Sequence, residues 1–76
     1  MSDFLFTTIS GTDVVTQIPV SCGDLEEAKI EARRVLARLI GERLANDPCE
    51  MVSVEIFDAT ERPLTELRMM YQEIDK

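Results

Sequence analysis

The stretch DLEEAKIEARRVLARLIGERLAND, residues 24–47, decides the fold. At about 100° per residue, Leu25, Ala28, Ala32, Val35, Leu36 and Leu39 fall on one arc, the apolar stripe of a helix that buries one side. Glu27, Glu31, Arg34, Arg38 and Glu42 fall on the opposite arc, where charge stays hydrated. Asp24 followed by Glu27 has capping-box spacing, so the aspartate accepts from the N3 amide while the glutamate reaches back to the cap. Glu26 and Glu27 lie in the first turn, where the positive end of the helix dipole favours them. Asn46-Asp47-Pro48 stops the element, and Gly41 weakens its last turns. The expectation is one helix over about residues 25–45.

On either side of it the period changes from helical to alternating. Phe4-Leu5-Phe6-Thr7-Thr8-Ile9 and Val14-Val15-Thr16-Gln17-Ile18-Pro19-Val20 are aromatic and β-branched, and Ser10-Gly11-Thr12-Asp13 between them is turn chemistry. Pro19 cannot donate to a ladder, so the second strand belongs at a sheet edge. Residues 51–57 put Val52, Val54 and Ile56 on one face, and Ser53 and Glu55 on the other. Asp58-Ala59-Thr60-Glu61-Arg62-Pro63 turns the chain, and a fourth strand runs from Leu64 to about Tyr71. A terminal helix over Glu66–Ile74 is the competing reading, because that segment is rich in good helix formers. The order ββαββ predicts an α+β fold: a four-stranded antiparallel sheet with one amphipathic helix on its inner face. The predicted core is Phe4, Phe6, Ile18, Leu25, Ala28, Ala32, Val35, Leu36, Leu39, Val52, Val54, Ile56 and Leu67.

Seventy-six residues with 45% apolar content fit one domain, 1–76, with a small core. Stability in so short a chain profits from self-association. The net charge of −7 argues against a nucleic-acid binder, since affinity for phosphate comes from Lys and Arg. No apolar run reaches the roughly 18 residues of a membrane span. Met1-Ser2-Asp3 does not open a secretory leader, so the expected location is a reducing cytoplasm.

The strand with neighbouring aromatics, the Gly/Asp turn, the helix opening Asp-Leu-Glu-Glu-Ala and the late hairpin Val-Glu-Ile-Phe-Asp-x-x-x-Arg-x-Leu resemble a small bacterial family of domains of unknown function. The resemblance runs from Phe4 to about Leu67 and implies the ββαββ fold. It implies no activity. The chain departs from that pattern at Thr7 and Thr8, where the family often has a histidine, and at Glu61, where it commonly has glycine.

Little in the chain suggests catalysis. It has no histidine, which removes the commonest general base and metal ligand, and its three glycines stand apart, so no phosphate-cradling loop exists. No catalytic residue, cofactor or metal is expected, and the fifteen carboxylates lack the alternating spacing of a calcium loop. Cys22 and Cys49 flank the helix, whose ends lie about 30 Å apart if it is continuous, far beyond disulfide reach. Cys22, two residues ahead of the helix cap, is a distant redox candidate.

Charge and residual apolar positions suggest binding instead. Residues 1–24 carry −3, residues 25–45 carry +1 and residues 46–76 carry −5. Acidity therefore collects on the hairpins and the sheet's outer face, where it can attract a basic protein partner. Ile30, Ala37 and Leu44 recur every seven residues away from the stripe, with Ile40 and Gly41 beside them, a spacing suited to a helix–helix seam. Met69, Met70 and Tyr71 form a second apolar cluster. The candidate interface is Ile30, Ala37, Ile40, Leu44, Met69, Met70 and Tyr71, used by helix packing or by strand addition. The leading expectation is a non-catalytic, cytoplasmic protein-interaction module that forms a homodimer. The alternative is an acidic regulator masking a basic nucleic-acid-binding or toxin surface by charge mimicry.

Overall fold

The alternating and helical periods resolve into β1 (Ser2–Ser10), β2 (Asp13–Cys22), α1 (Leu25–Asn46), β3 (Met51–Asp58) and β4 (Pro63–Met70). This is a computed structural model that describes residues 2–10, 13–46 and 51–76. The strands form one antiparallel sheet in the order β2-β1-β3-β4, giving the α+β ββαββ architecture. The competing terminal helix does not form: β4 ends at Met70, and residues 71–76 carry no regular structure.

Phe4, Phe6, Thr8 and Ser10 of β1 stand opposite Asp58, Ile56, Val54 and Val52 of β3, so both central strands turn one alternating set toward the helix. The core on that side joins Phe4, Phe6, Cys22, Ala28, Ala32, Leu36, Val52, Val54 and Ile56. Val20, Leu25, Val35, Leu39, Ile40 and Leu67 pack around it. Ala28 and Ala32 are fully buried because their short side chains let α1 lie close to the sheet.

One predicted core position departs from expectation. Ile18 is not core but 41% exposed: β2 is an edge strand, and the helix leans most heavily on β3, leaving the outer strand thinly covered. Ser53 lies on the face opposite Val52 and Val54, as its alternation predicts, and is nonetheless fully buried. β3 is flanked on both sides, and Ser53 sits between Ile9 and Arg68 in register, which outreach its short side chain.

The helix start follows the capping-box expectation with one shift. The Glu27 amide donates to Asp24 Oδ1 at 2.9 Å, while the Glu27 carboxylate accepts from the Gly23 amide at 2.7 Å, one residue before the cap. A Cβ at residue 23 would lie 2.9 Å from that carboxylate, which is why glycine suits the position. The rod runs through Gly41 without a break.

Candidate functional site

Two surfaces and one recess remain for function. The recess, about 350 Å³, lies between the end of β2 and the first turns of α1, lined by Ser21, Cys22, Glu27, Ile30, Glu31 and Arg34. Its charged groups already have partners: Glu27 holds the Gly23 amide, and Arg34 pairs with Glu31. Burial pushes the Cys22 thiol up, and the negative charges of Glu27, Glu31 and Asp24 push it the same way. The activation that a helix N-terminus could give a thiolate is thus outweighed, and Cys22 serves the core as a small apolar group. Its distant namesake, Cys49, lies outside the described residues. The helix is continuous over 22 residues, about 33 Å at 1.5 Å per residue.

The second feature is the sheet face turned away from the helix. Register lays its residues in rows across the strands: Pro19, Leu5, Phe57 and Pro63; then Gln17, Thr7, Glu55 and Glu66; then Ile9, Ser53 and Arg68; and finally Met51 beside Met70. The face is apolar at its ends and charged across its middle. Glu55 and Glu66 are direct neighbours of like sign, an unfavourable cross-strand pair that Arg68 relieves by bonding Glu66 at 2.6 Å.

The third feature is the β4 edge with the segment beyond it. Leu64, Met69, Met70, Tyr71 and Ile74 are exposed there, five of the seven large apolar side chains exposed among the described residues. The Tyr71 hydroxyl donates to the Glu73 carboxylate, and that bond holds the phenol above its ordinary range.

The expected interface residues therefore do not form one patch. Ile30, 42% exposed, and Ala37 share a side of α1, and Ile30 borders the β2 edge through the recess. Met69 and Met70 belong to β4, at the opposite edge of the sheet. Ile40 packs on the core instead of extending the exposed row, because it lies only about 40° around the helix from Leu36. The Leu44 side chain lies outside the described residues.

Sequence reasoning missed one long-range contact: Arg43 Nε donates to Ser10 Oγ at 2.7 Å, tying the last turns of α1 to the end of β1. Thr8 and Ser10 face the helix because they alternate with Phe4 and Phe6, a signal present in the strand's period.

No helix among the described residues is long and apolar enough to cross a membrane. No curated protein and no solved structure matches the chain. A family model described as Domain of unknown function (DUF6894) matches residues 4–70, the span over which the strand, turn and helix motifs carry the resemblance, and the chain belongs to that family.

Proposed function

We propose that this protein is a small, non-catalytic interaction module of the cytoplasm that works as a homodimer. The observation supporting this most is the gathering of Leu64, Met69, Met70, Tyr71 and Ile74 at one sheet edge and the segment beyond it. Apolar side chains exposed singly need no explanation, whereas their concentration between Leu64 and Ile74 favours a covering partner. The absence of histidine from the sequence supports a binding role over a catalytic one. Light scattering after size exclusion tests the dimer: the expected mass is twice the 8.6 kDa of the chain, held on dilution to low micromolar concentration. A mass of one chain at high micromolar concentration overturns it.

Charge supports a second reading, an acidic regulator that occupies a basic protein surface. Glu55 and Glu66 adjoin on the open face of a chain with net charge −7. Affinity for a basic partner would then fall steeply between low and high salt, while an apolar contact would change little. Binding to a basic protein that is indifferent to salt rejects the mimicry.

A further inference from the structure

We infer that the homodimer forms by antiparallel pairing of β4 with β4 of a second copy, about a two-fold axis at Leu67, making one continuous eight-stranded sheet. This rests on the dimer reading above and names its surface. Edge strands carry outward amides and carbonyls with no neighbouring strand, and this sheet has two of them, β2 and β4. β2 is poorly suited to further pairing: Pro19 has no amide hydrogen, and the register slips by one residue at Thr16. β4 pairs with β3 from Thr65 to Met70 without a shift and contains no proline in that run.

Charge selects the register. Glu66 and Arg68 stand on the same face, one on each side of Leu67, and bond each other within the strand. A two-fold axis at Leu67 sets Glu66 of each copy opposite Arg68 of the other, making two symmetric ion pairs. An axis at Glu66 or at Arg68 would instead oppose like charges. The same pairing brings a second arginine to the outer side of Glu66, whose inner neighbour is Glu55, so the like-signed pair on the open face gains a cation from each copy. On the helix side, Leu67 meets its own equivalent, and Met69, 52% exposed, meets Thr65 of the other copy. With the axis perpendicular to the sheet, both helices lie on the same face.

Charge reversal tests this. Glu66→Arg and Arg68→Glu, made singly, are each expected to weaken the dimer by roughly tenfold or more in dissociation constant, with the circular dichroism spectrum retained. Glu66→Arg/Arg68→Glu together restore opposite charges in each pair and are expected to bring the constant back near wild type. Dimers unaffected by either single change, or a folded double variant that stays monomeric, overturn the β4 pairing while leaving a dimer through another surface. A monomeric wild type overturns both.

Discussion

Asp58 and Arg62 close the β3–β4 turn from both ends: the Asp58 amide donates to the Arg62 carbonyl at 2.9 Å, and Asp58 Oδ1 accepts from the Arg62 amide at 2.9 Å. The same oxygen takes the Thr60 hydroxyl at 2.6 Å and the Thr60 amide at 2.9 Å. These donors, the Thr60 hydroxyl foremost, hold the Asp58 carboxyl below the usual carboxylate range. A carboxyl whose folded pKa is depressed adds stability above its unfolded pKa, near 3.9, and that stability disappears as pH falls through the folded value. Denaturant midpoints measured from pH 6 downward should therefore drop less steeply below about pH 4 in Asp58→Asn than in wild type. Parallel curves would remove the aspartate from any part in acid sensitivity.

Glu61 in that turn has φ of 66°, in the left-handed region. A side chain there costs about 1–2 kcal/mol, and glycine returns about 0.4–1 kcal/mol of that through the freedom of its unfolded chain. Glu61→Gly should stabilise by about 0.5–1 kcal/mol, raising Tm by a few degrees. A lower Tm would mean that Glu61 contributes something other than its backbone shape.

Gly41 lies within α1, and a Cβ there would meet nothing within 4 Å. Gly41→Ala should gain about 0.8–1 kcal/mol from helix propensity alone, checked by thermal melting. Loss of stability or of dimer mass would show that another chain approaches this turn closely.

Ser53 Oγ is buried with no hydrogen-bond partner among the described residues. Leaving such a hydroxyl unsatisfied costs about 1–3 kcal/mol, so Ser53→Ala should be neutral or stabilising by up to about 1 kcal/mol in chemical denaturation. Clear destabilisation would point to an ordered water on that hydroxyl.

Cys22 is buried with its thiol pushed upward by burial and by nearby carboxylates. In a Cys49→Ser background, labelling by a thiol reagent at pH 8 should be many times slower for the native protein than in denaturant. Native labelling as fast as a free thiol would reopen the redox reading.

How much of this could be read from the chain depends on what each residue answers to. The period of Leu25, Ala28, Ala32 and Leu36 and the alternation of Val52, Val54 and Ile56 report local geometry, and both gave the right faces. Gly41 did not divide the helix, since one unfavourable propensity is small against a stripe packed along its whole length. Ile18 was misjudged because burial there depends on strand order, as does the unannounced burial of Ser53: one lies at an edge, the other between two neighbours. That order is set by pairing β1 with β3, which no local pattern announces. The distance between the interface candidates has the same origin, since Ile30 and Met69 separate only once β2 and β4 become opposite edges.

The inner place of β1 also dictates when the molecule can be completed. Its two hairpins are local, yet they join only through a seam between β1 and a strand synthesised about forty to fifty residues later. Until β3 leaves the ribosome, Phe4 and Phe6 wait on an open ladder, so the nascent amino-terminal hairpin is the piece most exposed to mispairing and to chaperones.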